Sequence, residues 1–120
     1  MKSNTVEDLV IYQKYMDLIY YTEMITEKYP RVSKSSTVAS IKNSTYDGMK
    51  CILMAYKMYE KKDKLNYLNQ LDVNLKMLKV LVRVSYKKKY INIRNYESWC
   101  RKLNTVGTFL GGWINSCVKQ

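Results

Sequence analysis

"GTFLGGWINS", residues 107–116, holds three of the chain's four glycines, and its reading decides how the last quarter folds. Around it an apolar repeat runs Tyr96, Trp99, Leu103, Val106, Leu110, Trp113, Cys117. The spacing is 3-4-3-4-3-4, and it passes through Gly107, Gly111 and Gly112 without interruption. A helix over about 92–118 is therefore expected, with Asn92 as its N-cap. A glycine inside a helix costs ~1 kcal/mol relative to alanine. Three of them beside Trp113 predict close helix packing at Gly107, Gly111, Gly112 and Trp113, with a neighbouring backbone or large ring coming near. A cap at Gly111 or Gly112 would end the repeat there, and the repeat continues. A phosphate-cradling loop would need a strand before it, and no strand pattern precedes.

Moving back along the chain, residues 63–87 have the most regular pattern. Leu68, Leu71, Leu75, Leu78 and Val82 form a 3-4-3-4 seam expected to face a core. Val73, Met77, Val80 and Val84 form a second apolar line, roughly 160° away at about 100° per residue. Lys76, Lys79, Arg83 and Lys87 lie between the two. A helix in a small monomeric bundle needs one apolar face, so the second line predicts an oligomer interface. Lys87-Lys88-Lys89 closes the helix, where cations suit the negative end of its dipole.

Two further helices are expected at about 36–61 and 5–29. Val38, Ile41, Thr45, Met49, Ile52, Tyr56 and Tyr59 are at helical spacing in the former, and Asn43, Lys50, Lys57 and Lys64 recur every seven residues on a solvated side. The turn to the next helix is placed at Lys61-Lys62-Asp63. Thr5 with Asp8 makes a capping-box-like start for the first helix, and Tyr29-Pro30 ends it. Its apolar residues fall on several sides (Leu9, Met16 and Tyr20 on one; Ile11, Tyr15, Leu18 and Ile25 on another), which predicts a well-enclosed helix. The fold class is all-α, an antiparallel up-down-up-down four-helix bundle over residues 1–120 as one domain.

Composition narrows the function. The chain is 47% hydrophobic with one proline, which favours a compact fold over disorder. Residues 1–8 show no basic head followed by a long apolar run, and no stretch reaches the ~20 apolar residues of a membrane span. A soluble, cytoplasmic protein with no membrane partner is expected. Cys51, Cys100 and Cys117 are far apart and form no CxxC pair, so they are read as small buried hydrophobes. There is no histidine, which removes the commonest general base and the usual partner of a nucleophile. No catalytic residue, metal site or cofactor is expected, and the protein is read as not an enzyme.

Charge points to a partner instead. Twenty-one basic residues against ten acidic give +11. Residues 1–29 carry three basic and five acidic side chains, whereas 30–62 and 63–91 each carry seven against two. Such asymmetry suits a polyanion. The span 76–102 concentrates the signal in Lys76, Lys79, Arg83, Lys87, Lys88, Lys89, Arg94, Arg101 and Lys102, against Glu97 alone. These nine are the candidate contacts to nucleic acid or to a protein that handles it. Most of the twelve tyrosines fit bundle positions with a buried ring and a wet hydroxyl. Tyr86 and Tyr90, flanking the lysine triplet, are the two read as able to stack on bases.

The final helix, Leu103-x-x-Val106-Gly107-x-x-Leu110-Gly111-Gly112-Trp113-Ile114-x-Ser116, carries a resemblance, together with Tyr29-Pro30 and Leu71-Asp72-x-x-Leu75-x-x-Leu78 followed by Val80-Leu81-Val82-Arg83. Over about residues 5–118 the chain resembles the accessory variability determinant (Avd) proteins of diversity-generating retroelements. These belong with the four-helix proteins encoded in intervening sequences of 23S rRNA genes. The resemblance implies a four-helix bundle assembled as a homopentameric ring with a basic surface. It also implies a reverse transcriptase as partner, template RNA as ligand, and an accessory, non-catalytic part in making mutagenised cDNA; the basic surface adds DNA as a candidate ligand. A 23S rRNA intervening-sequence protein with a structural or RNA-linked role is the alternative that the sequence leaves open.

Overall fold

The structure, a computed structural model, describes residues 5–118. The N-terminal residues 1–4, part of the stretch 1–8 in which no basic head precedes a long apolar run, and residues 119–120 lie outside the described part. Four helices account for most of it: α1 (Val10–Thr26), α2 (Ala39–Lys57), α3 (Lys61–Lys87) and α4 (Ile93–Val118). No strand occurs among the described residues. α3 packs along α2 on one side and α4 on the other, while α1 packs along α4 and more lightly on α2. Each helix therefore has two neighbours, as a four-helix bundle requires.

The leucine seam of α3 faces inward as expected. Leu68, Leu71, Leu75, Leu78 and Val82 are buried, and they meet Trp99, Leu103, Val106, Leu110 and Cys117 from α4. Trp99 is fully enclosed, and its indole N–H donates to the Thr22 hydroxyl of α1 at 3.2 Å. That bond satisfies a polar atom that would otherwise be costly to bury.

The helix ends differ from the sequence expectation for local reasons. Thr5 and Asp8 do pair, with the Asp8 carboxylate accepting from the Thr5 backbone N–H at 3.2 Å, but they close a short 3-10 turn over Val6–Asp8. Leu9 is extended, so α1 starts at Val10 instead of residue 5. α1 ends at Thr26, short of residue 29. Its last carbonyls, those of Thr26 and Glu27, accept from the Lys34 ammonium at 2.9 and 3.0 Å. A 3-10 turn (Arg31–Ser33) and a π-helical turn (Lys34–Val38) then lead into α2, which starts at Ala39 rather than 36. α2 stops at Lys57, before the expected 61. Met58 is extended, Tyr59 is 97% exposed, and the Lys64 ammonium of α3 reaches back to the Ala55 carbonyl at 2.9 Å. The residues read as the α2–α3 turn, Lys61-Lys62-Asp63, form the first turn of α3 instead. There Asp63 suits the positive end of the helix dipole.

α1 is less enclosed than its apolar pattern predicted. Ile11, Tyr15, Leu18, Ile19 and Ile25 are buried, but Val10, Tyr20 and Met24 are exposed. The reason is its thin contact with α2, which leaves one flank uncovered.

Helix α4 runs unbroken through Gly107, Gly111 and Gly112, as its repeat predicted, and Trp113 is half-buried against the core. The close helix packing expected at these glycines is not made within the chain. Among the described residues, a Cβ at any of the three would meet no atom within 4 Å beyond its own helical turn. The glycine that does allow close approach is Gly48 in α2. A Cβ there would overlap the Tyr15 hydroxyl, and would lie 2.8 Å from Tyr15 Cζ and 3.2 Å from a Leu71 methyl. Tyr15 fills that space completely buried, and its hydroxyl donates to the Thr45 carbonyl at 2.5 Å.

Candidate nucleic-acid interface

Helix α3 presents three lengthwise strips. Its seam is buried. At about 100° per residue, Lys79 and Tyr86 share a line, being seven apart. The Tyr86 ring stacks on Tyr96 of α4, centroids 4.7 Å apart and planes 23° from parallel. The strip of Lys76, Lys79, Arg83 and Lys87 therefore lies toward α4, and all four are exposed. The flank facing α2 is marked by Asn74, whose amide reaches Cys51 Sγ at 3.9 Å. Next to it Val73, Met77, Val80 and Val84 are 65%, 46%, 53% and 37% exposed. Four aliphatic side chains in line and open to solvent are unusual for a helix whose core face is already complete.

Within the basic strip, Lys76 is ion-paired to Asp72 at 2.7 Å, one helical turn away. That pair is exposed and weak by nature, but it shares the Lys76 charge. Lys79, Arg83 and Lys87 take no part in an ion pair among the described residues.

The strip continues into the α3–α4 turn. The Lys89 N–H donates to the Tyr86 carbonyl and the Tyr90 N–H to the Ser85 carbonyl, both at 2.9 Å. This double closure is the usual way to end a helix with one left-handed residue. Lys89 holds that position, at φ 65°. Asn92 then caps α4 as expected, its Oδ1 accepting from the Asn95 N–H at 2.8 Å.

The nine candidate cations do not form one patch. Arg101 and Lys102 face α1, not α3. They line a groove of about 330 Å³ with Lys14, Asp17, Ser98 and Thr105. The Lys102 ammonium sits 5.4 Å from the centre of the Tyr21 ring, and Arg101 donates to the Ser98 hydroxyl at 3.1 Å. Lys14 was not a sequence candidate, because it lies in the acidic first quarter. It joins the basic groups only because α1 packs along α4. Arg94 is exposed one helical repeat before Arg101. Conversely, Lys34 and Lys64 count toward the net charge but are engaged by helix-end carbonyls.

Other polar groups are structural. Burial pushes the Tyr15 phenol above its ordinary value and raises the Cys51 thiol as well. Cys51 and Cys117 are buried and Cys100 is half-buried, all as free thiols. Among the described residues no group of three His, Cys, Asp or Glu side chains could hold a metal ion, and no helix is long and apolar enough to cross a membrane.

Four helices packed as a bundle are the fold the resemblance implied. A protein-family model described as bAvd-like matches residues 9–117, all four helices. The chain belongs to the bAvd-like family. The match begins one residue before α1 and stops one residue short of the end of α4, so it spans nearly all the described chain. A search of the curated proteins finds no match. Avd-type proteins are accessory and non-catalytic, and their setting is the diversity-generating retroelement.

Proposed function

We propose that this protein is an accessory subunit of a diversity-generating retroelement reverse transcriptase. In this reading it binds the template RNA, supports mutagenic cDNA synthesis and itself catalyses nothing. The observation that carries the reading, beside family membership, is the run of cations from Lys79 through Arg83 and Lys87 to Lys88 and Lys89. It is exposed, and its members take no part in an ion pair among the described residues. No base-reading motif accompanies these cations, so in this reading contacts are mainly to phosphates, and binding tolerates many sequences and extends to DNA.

The assembly we propose is a homopentameric ring. The exposed line of Val73, Met77, Val80 and Val84 supports self-association, since water contact with four aliphatic side chains is unfavourable. A ring would present the basic strip five times, and modest single-site affinity would become avid. The same reading puts the protein in the cytoplasm with the transcript.

The test is RNA binding measured across a salt series. Wild type should weaken with a log–log slope of about −0.7 per phosphate neutralised on a single strand. The triple variant Lys79→Gln, Arg83→Gln, Lys87→Gln should flatten that slope by about 2, the sum of three such contacts, with helicity and particle mass unchanged. A variant that binds RNA normally but no longer co-purifies with reverse transcriptase would assign the strip to the enzyme instead. If neither interaction changes, the strip is an ordinary solvated face and the reading fails.

A further inference from the structure

At the α3–α4 turn an open recess of about 610 Å³ is lined by Tyr86, Lys87, Lys89, Tyr90, Ile91, Asn92 and Asn95. Its volume is in the range of small-ligand sites. Two lysines line it and no acidic residue does, whereas the α1–α4 groove includes Asp17. We propose that this recess is a stacking site for one unpaired nucleotide, its base lying against Tyr86 and its flanking phosphates meeting Lys87 and Lys89. The proposal rests on the nucleic-acid reading above and adds to it a preference for unpaired strands.

Three observations support it. First, Tyr86 is 38% exposed although it is an aromatic residue at a helix end, and its ring is held in orientation by the stack on Tyr96. A ring already fixed loses little freedom when a base arrives. Tyr90 has a tilted ring contact instead, its centroid 5.3 Å from that of buried Tyr29 with the planes 52° apart. Second, the polar groups of the recess are anchored. Asn92 is bound to the Asn95 N–H, and the Asn95 amide donates to the Tyr21 hydroxyl at 3.3 Å. Third, Lys89 occupies a left-handed position where glycine would be unstrained. A strained backbone that retains its cation beside an exposed ring points to use of that cation.

The chemistry selects unpaired nucleotides. Every base has a π face, so stacking on a tyrosine is tolerant of sequence, but inside a duplex both faces are covered by neighbouring pairs. Double-stranded RNA could reach the lysines but, apart from its two terminal pairs, has no free base face for Tyr86.

The experiment compares a labelled single-stranded RNA with a blunt duplex of the same sequence, each titrated with full-length protein at one salt concentration. Tyr86→Leu should weaken single-strand binding about five- to 150-fold, the loss expected for one stacked base, and leave duplex binding and the salt slope unchanged. Tyr86→Phe keeps the ring and should bind as wild type. Lys89→Gly relieves the backbone strain, so it should fold at least as stably while its single-strand salt slope falls by about 0.7. A single-stranded RNA carrying one 5-iodouridine should photocrosslink to the tryptic peptide 84–87. Wild-type single-strand affinity in Tyr86→Leu would overturn the proposal, as would equal weakening on single strand and duplex, which would make Tyr86 a support for the turn. Absence of RNA binding by the wild type itself would instead be the failure of the accessory-subunit reading, and this proposal would fall with it.

Discussion

Replacing Gly48 with alanine should destabilise the bundle, although alanine is the better helix former. The added methyl would overlap the Tyr15 hydroxyl and sit 2.8 Å from Cζ. That hydroxyl cannot retreat freely, since Tyr15 is completely buried and bound to the Thr45 carbonyl. Helix propensity favours the variant by ~1 kcal/mol. Overpacking opposes it by typically ~1–3 kcal/mol. If Tyr15 is pushed off its acceptor, a buried hydroxyl left unsatisfied costs a further ~1–3 kcal/mol. On these figures the net is a loss of up to roughly 2 kcal/mol if Tyr15 keeps its acceptor and roughly 1–5 kcal/mol if it is displaced. Denaturant unfolding followed by circular dichroism, at one protein concentration because assembly would couple to stability, reads the change directly. Tyr15→Phe alone should cost about 1 kcal/mol, the net worth of a typical hydrogen bond. In the double variant the missing hydroxyl makes room, so the two losses should sum to less than additively. A Gly48→Ala protein as stable as wild type, or more stable, would refute the reasoning. So would strict additivity with Tyr15→Phe.

Met77→Glu with Val80→Glu should give smaller particles by light scattering with helicity retained, because a charge is costly to bury between copies; unchanged mass would dismiss this face as the interface. Gly111→Ala should stabilise the helix by about 1 kcal/mol, since a Cβ there meets open space within the chain. A lower melting temperature would show that another copy or partner closes over it. The Glu23 carboxyl is held below the ordinary glutamate range by the Tyr46 hydroxyl, which donates at 2.6 Å, and next by Lys42 at 3.2 Å, with partial desolvation opposing them. A lowered folded pKa means that stability is present above the ordinary value of about 4.3 and lost as pH falls through the lowered one. Glu23→Gln should therefore cost no more than about 1 kcal/mol at neutral pH, this being a surface pair, and the difference from wild type should vanish in acid.

What the sequence by itself determined is whatever repeats along one helix. The seam Leu68 to Val82, the exposed line Val73 to Val84, the lysine-rich close of α3, the Asn92 cap and the passage of α4 through its glycines are all legible there. Each depends on the 3.6-residue period or on a cap within a few residues, and both are local. What lies between helices was not legible. The need for Gly48 comes from a tyrosine 33 positions earlier in the chain, and nothing near Gly48 in sequence announces it. The glycines that the repeat made conspicuous, Gly107, Gly111 and Gly112, have room for a Cβ, with no atom of another helix within 4 Å of it among the described residues. Lys14 reaches Arg101 and Lys102, while Lys34 and Lys64 are drawn to helix ends, so a tally of charge by segment places some cations wrongly. Periodicity states which face of a helix is apolar, but not its rotation or axial shift against its neighbours. Those are settled by packing of all four helices at once, and only the tertiary structure decided which cations share a surface.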